Sequence, residues 1–163
     1  MRVNGFIVVI WLISVFASAT ILGQEEDSLT LPGEVRLNKR QPPDTVLKTI
    51  GIKPSMIIGE VGAGRGRYTV QMASRIGPSG MIYANDIDQE ALQFLKRRCD
   101  SHGFKNVKTI LGSVTDPKLP EAALDMVIMV NVVHCLEKPV ELFKNLNSSL
   151  KPEGFFVIVE GNL

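Results

Sequence analysis

Residues 59 to 69 read Gly-Glu-Val-Gly-Ala-Gly-Arg-Gly-Arg-Tyr-Thr, placing Glu60 ahead of three alternating glycines, Gly62, Gly64 and Gly66. Alternating glycines let a main chain take positive φ and press against a bound nucleotide. A phosphate-cradling loop would end in Gly-Lys-Ser/Thr, which is absent here. The dinucleotide fingerprint needs a glycine at its sixth position, for close helix–strand contact. Counted from Gly62, that position is Arg67. Asp86 lies 86 − 62 = 24 residues beyond Gly62, in Tyr-Ala-Asn-Asp-Ile-Asp. A carboxylate at the end of a second strand, about 20 residues from the loop, can accept both hydroxyls of a ribose.

These residues need a scaffold that brings strand ends together, and the hydrophobic pattern supplies one. Short apolar runs at 56–61, 81–84, 107–111, 126–130 and 155–159 read as five strands. Between them lie helical patterns. Residues 65–76 carry Tyr68, Met72 and Ile76 on one face, stopped by Gly77-Pro78; residues 89–102 carry Ala91, Leu92, Leu95 and Cys99, stopped by Gly103; residues 139–150 carry Leu142, Phe143 and Leu146. A short helix over 44–50, capped by Asp44, precedes the first strand. Asp88 reads as the N-cap of the 89–102 helix and His102 as its C-terminal cap residue. Strand–helix alternation with unalternated apolar strands predicts an α/β fold: a doubly wound, mostly parallel sheet covered by helices on both faces. In such sheets ligands bind beyond the C-terminal strand ends, where the strand order reverses.

The Glu60-x-Gly62-x-Gly64-x-Gly66 pattern resembles that of class I S-adenosylmethionine-dependent methyltransferases, and the likeness runs from about Asp44 to Val159. The resemblance implies S-adenosylmethionine as cofactor. It implies that Gly62, Ala63, Gly64 and Gly66 wrap its methionine half, that Glu60 helps hold its amino end, and that Asp86 takes the ribose. Where the family has Gly-Asp near the adenine amine, this chain has Gly112-Ser113. Ser113 is therefore a weaker acceptor at that place, with a Val114 backbone contact as an alternative. The segment Asn-Val-Val-His-Cys-Leu-Glu-Lys-Pro, 131–139, resembles the stretch where cofactor faces substrate, offering Asn131 to the cofactor and His134 as a candidate catalytic base. An unperturbed histidine titrates near pH 6.5. A structural role at a helix start is the competing reading of His134. Leu-Lys-Pro-Glu-Gly, 150–154, resembles the family's turn before the fifth strand. Arg65 and Arg67 oppose a helix dipole, so they are either solvated or paired with an anion.

Family members usually continue past the fifth strand. A chain ending there would leave that strand as an apolar edge, which suggests a homodimer through it, and would make the chain a truncated product. The N-terminus is a separate piece. Residues 3–24 carry no charge, which is long enough to span a bilayer at roughly 20 residues. Ala17-Ser18-Ala19 has the form of a signal-peptidase site. The reading is a signal peptide or membrane anchor over 1–23, a linker over 24–43 broken by Pro32, Pro42 and Pro43, and the domain over 44–163, exported or membrane-anchored; a misassigned start is the alternative. Export sits badly with a cofactor made in the cytosol.

The whole chain has 163 residues with 18 Lys+Arg against 17 Asp+Glu, so charge gives no sign of a nucleic-acid partner. Cys99 and Cys135 cannot form a disulfide framework or a zinc site, and are expected as free, mostly buried thiols; no metal site is expected. Three functions follow. The first is methyl transfer to a small molecule or a protein. The second is a non-catalytic nucleoside-binding or interaction domain of the same fold. The third, a nicotinamide-dependent oxidoreductase, is disfavoured by Arg67.

Overall fold

The computed structural model describes residues 29–161. The expectation for 1–23, and the first part of the linker, lie outside these residues. Among the described residues no helix is long and apolar enough to cross a membrane.

Five strands form one parallel sheet in the order β3-β2-β1-β4-β5. They are β1 (Ile57–Val61), β2 (Met81–Asp86), β3 (Val107–Leu111), β4 (Leu124–Val130) and β5 (Leu150–Val159). The chain moves outward one way through β1, β2 and β3, then returns to the other side of β1 with β4 and β5. The order therefore reverses between β1 and β4, as the sequence pattern predicts for this fold class. Helices α1 (Val35–Arg40), α2 (Pro43–Thr49), α3 (Thr69–Ile76), α4 (Gln89–Ser101) and α5 (Pro139–Asn147) complete the layers.

The central strands show why their sequences do not alternate. In β4, Met126 and Ile128 belong to a core with Leu47, Val70, Met72, Ile76 and Leu95, while Val127 and Met129 belong to another with Leu119, Leu142 and Leu146. Both faces are covered, so residues 126–130 are apolar without alternation. Among the described residues β5 pairs with β4 alone, and it exposes Phe155 at 45% and Ile158 at 50%. It is the apolar edge that the sequence predicts.

Several local expectations change. The helix expected from residue 65 starts at Thr69, because Gly66 has φ +86° and cannot sit in a right-handed helix. The expected Leu150–Gly154 turn is drawn into β5, with a register shift opposite Leu124 and Met126. Asp44 does not cap α2; it sits within the first turn and pairs with Arg75. Asp88 does cap α4, accepting from the N–H groups of Glu90 and Ala91.

The largest change concerns the linker. Residues 29–43 fold against the domain. Arg98 of α4, 5% exposed, donates from Nη1 and Nη2 to the two carboxylate oxygens of Glu34, each at 2.8 Å. The same guanidinium donates to the carbonyls of Leu29 and Arg65. Glu34 also accepts from the Leu31 N–H. The prolines that read as linker instead start short helices, where a missing N–H costs nothing: Pro32 begins a 3₁₀ turn and Pro43 begins α2.

Candidate active site

The loop after β1 carries positive φ at Gly62 (+73°), Gly64 (+53°) and Gly66 (+86°). Two of the three glycines also have a packing reason. A Cβ on Gly62 would fall 2.4 Å from Val132 Cγ2, and one on Gly66 would fall 2.3 Å from Leu95 Cδ1. Gly66 therefore provides the close approach to a helix that Arg67 could not. A Cβ on Gly64 would meet nothing within 4 Å, so only its backbone conformation demands glycine.

The N–H groups of this loop face inward. Gly62 and Ala63 both donate to the Asn85 carbonyl at 2.9 Å, Gly64 donates to Asp86 Oδ2 at 2.7 Å, and Gly66 donates to the Ala63 carbonyl at 3.0 Å. A phosphate-binding loop turns such groups toward its anion. This loop has committed its donors internally. It fits a ligand that needs close backbone approach and no phosphate cradle.

A cavity of about 280 Å³ opens beside it, across four strand ends. Val61 and Gly62 come from β1, Asp86 and Ile87 from β2, Ser113 and Val114 from beyond β3, and Asn131 and Val132 from beyond β4. Cys135, Leu136 and Leu142 close the apolar side. An apolar slot with the carboxylates of Asp86 and Glu137 on its wall matches a base and a sugar diol better than an anionic ligand. Asp86 holds the Gly64 N–H with one oxygen and the Asp88 N–H with the other, at 2.9 Å. Each oxygen keeps a second lone pair for a hydroxyl.

Other expected site residues are placed differently. Glu60 is 3% exposed and does not line this cavity. It accepts from the Thr69 hydroxyl at 2.5 Å, and burial pushes its carboxyl up to about 8, despite the lowering effect of that bond. Ser113 reaches the wall, but its hydroxyl accepts from the Asp116 N–H at 3.1 Å and closes a local turn. Asn131, with φ +55°, accepts the Gly161 N–H at 3.1 Å and exchanges amide hydrogen bonds with Gln41. Asparagine is among the few residues that enter this backbone region readily.

A second cavity of about 330 Å³ lies between the N-terminal segment and the ends of β4 and β5. Asn131 lines both cavities. Leu37, Pro42, Val46 and Val159 give the second an apolar wall, and Gln41, Arg67 and Glu160 give it polar points. Sequence reasoning missed Gln41 and Glu160. Gln41 lay in the presumed linker, and Glu160 carries no local pattern. Neither arginine of the loop meets a free anion. Arg65 lies 3.8 Å over the Phe94 ring, and Arg67 donates to Asn38 Oδ1 at 2.7 Å and to the Gln41 carbonyl at 2.7 Å. His134 lies on a 3₁₀ turn (Val133–Cys135) with its Nδ1 2.9 Å from Glu160 Oε2. Of the two thiols, Cys99 is buried as expected, whereas Cys135 is exposed, because the turn leaves it on the cavity rim. No group of His, Cys, Asp and Glu able to hold a metal occurs among the described residues.

The sequence over residues 52–163 matches the family model described as a methyltransferase domain. The chain belongs to the class I S-adenosylmethionine-dependent methyltransferases. The methyltransferase domain has solved relatives with the same fold. A SAM-dependent methyltransferase from Aquifex aeolicus superposes with a TM-score of 0.73 at 26% identity, covering 81% of this chain and 69% of that one. A protein-L-isoaspartate O-methyltransferase of Pyrococcus horikoshii is 27% identical over 137 residues, 84% of this chain and 59% of that one. A demethylmenaquinone methyltransferase of Geobacillus stearothermophilus is 23% identical over 115 residues, 71% of this chain and 49% of that one. The chain thus spans about half the length of these two relatives. The family's cofactor is S-adenosylmethionine, and the cavity's apolar walls, Asp86 and phosphate-indifferent loop fit its nucleoside.

Proposed function

We propose that this chain transfers a methyl group from S-adenosylmethionine to a small-molecule or protein acceptor. One observation carries the reading: four strand ends converge on an apolar cavity walled by Asp86, beside a glycine loop whose N–H groups are turned away from any phosphate. Gly62 and Gly64 would let the cofactor's methionine half lie on the backbone. Asp86 would take the ribose hydroxyls, and Val114 and Ile87 would flank the base. The buried Glu60, bonded to the Thr69 hydroxyl, would act from behind the loop by supporting it rather than by touching the cofactor. The cofactor supplies an electrophilic methyl on a positively charged sulfur. The protein's part is to align a nucleophile with it and to accept any proton the nucleophile carries. The second cavity, which shares Asn131 with the first, is the place for that nucleophile.

The relatives named above divide between a protein acceptor and a small-molecule one, so both classes enter the test. Methyl-labelled cofactor would be incubated with the chain and separate pools of small molecules and of proteins. Label in one pool assigns the class. A second reading, a nucleoside-binding domain without turnover, draws support from the engagement of Ser113 with Asp116, which weakens the expected adenine contact. Cofactor binding with no label in either pool selects it.

A further inference from the structure

Arg67 stands in the glycine loop without a part in holding the cofactor. Its guanidinium is fixed by three hydrogen bonds. Nε donates to Asn38 Oδ1 at 2.7 Å, Nη1 to Gln41 Oε1 at 3.2 Å and Nη2 to the Gln41 carbonyl at 2.7 Å. It also lies 4.9 Å from the centre of the Tyr68 ring, whose hydroxyl donates to the same Gln41 carbonyl at 3.2 Å. Every one of these partners is uncharged. Arg98 meets Glu34 and Arg75 meets Asp44, whereas no carboxylate pairs with Arg67 among the described residues. Arg67 is half-buried, and a charge taken partly out of water ordinarily has an opposite charge beside it. A guanidinium carries five N–H groups, so one on each Nη nitrogen is left to donate.

The surroundings define what that partner is. Arg67 lines the 330 Å³ cavity between the N-terminal segment and the strand ends, and Arg40, exposed at the end of α1, lines it too. Glu160 is the remaining charged residue of that wall, so two positive charges stand against one negative, +1 in sum. The Glu160 oxygens are already engaged: Oε1 accepts the Val133 N–H and Oε2 lies 2.9 Å from His134 Nδ1. Leu37, Val46 and Val159 make the wall largely apolar. A single net positive charge beside apolar surface matches a monoanion with an apolar body. A dianion such as phosphate would be repelled by Glu160 and would leave the apolar wall uncovered.

We infer that this cavity binds a small organic acid, whose carboxylate accepts from the open Nη groups of Arg67 and meets Arg40, and whose apolar body lies on Leu37, Val46 and Val159. The site stands on its own charges and walls. Its purpose rests on the methyltransferase reading, under which the acid is the methyl acceptor, held beside the nucleoside cavity that shares Asn131 with it.

The test is calorimetric titration of the full chain, with and without saturating S-adenosylhomocysteine. The probes are hexanoate and benzoate, with hexanamide and benzamide as their uncharged counterparts and inorganic phosphate as a control. The acids should bind about 10–100-fold more tightly than the amides, the range of hydrogen bonds to a charged group, and equally well with S-adenosylhomocysteine present. Arg67→Gln should remove most of that preference and leave amide binding unchanged. Arg40→Gln should weaken the acids by about 2–5-fold, as expected of a more exposed charge. Arg40 engages no side chain among the described residues, so this second variant reads the site even if Arg67→Gln fails to fold. Equal affinity for acids and amides, a preference that survives both substitutions, or phosphate binding as tightly as hexanoate would overturn the inference. So would displacement of the acids by S-adenosylhomocysteine, which would give Arg67 to the cofactor's own carboxylate. A native chain that binds the acids but not S-adenosylhomocysteine would instead sink the methyltransferase reading and leave the acid site standing.

Discussion

Glu34→Gln should be among the most destabilising conservative changes in this protein. The substitution keeps shape and removes charge. It leaves the Arg98 guanidinium, its side chain 3% exposed, without its counter-ion. Removing one member of a buried pair typically costs about 3–5 kcal/mol, because the other charge stays desolvated. The introduced amide oxygen would still accept one Arg98 N–H, and the Leu29 and Arg65 carbonyls would accept others, so the lower end, about 3 kcal/mol, applies. At about 3–4 °C per kcal/mol for a domain of this size, the melting temperature should fall by about 10 °C. Adding Arg98→Met should recover part of the loss, since an uncharged pair carries no desolvated ion. Recovery should stop short of native stability by about 1 kcal/mol for each carbonyl left without its donor. Calorimetry on the two single variants and the double variant measures all of this. A Glu34→Gln protein within about 0.5 kcal/mol of native, as expected of an exposed surface site, would refute the reasoning and return residues 29–43 to the status of a detached linker.

Three further outcomes follow from the same geometry. Gly66→Ala should lose about 2–5 kcal/mol, combining a left-handed backbone with a methyl 2.3 Å from Leu95 Cδ1; denaturant midpoints would show it, and a loss below about 1 kcal/mol would contradict the packing. Glu60 has a folded value of about 8 against 4.5 when free, so the native state prefers it protonated. Its contribution to stability is complete below pH 4.5 and declines as pH rises toward 8. Glu60→Gln should flatten the pH dependence of the melting temperature across that window and be more stable than native near pH 8; an unchanged slope would argue against a buried neutral carboxyl. A maleimide should label Cys135 quickly and Cys99 slowly, since burial pushes the Cys99 thiol up to about 11, and S-adenosylhomocysteine should protect Cys135; mass spectrometry of the peptides decides.

The sheet and the glycine loop were legible because their signals are local. Unalternated strands such as 126–130 reveal burial on both faces, and Gly62, Gly64 and Gly66 declare positive φ by composition alone. The place of Asp86 at the end of the second strand was legible from spacing. The Glu34–Arg98 pair was not, because its members are 64 residues apart and each looks like ordinary surface charge. The same holds for Glu160, whose meaning comes from His134 on another strand end. Prolines at 32, 42 and 43 misled because the residue that breaks a helix interior also starts a helix. Arg67 read as an oddity at a helix N-terminus because its partners, Asn38 and Gln41, lay in the segment assigned to a linker.

The most direct measurement is the thermal stability of the full chain with S-adenosylhomocysteine, with NADH and without ligand, using Asp86→Ala as the control. At 100 times its dissociation constant a ligand adds roughly 2.7 kcal/mol, a shift of several degrees. The account predicts that shift for S-adenosylhomocysteine alone and its loss in Asp86→Ala. A shift with NADH, or a folded protein indifferent to S-adenosylhomocysteine, would contradict it.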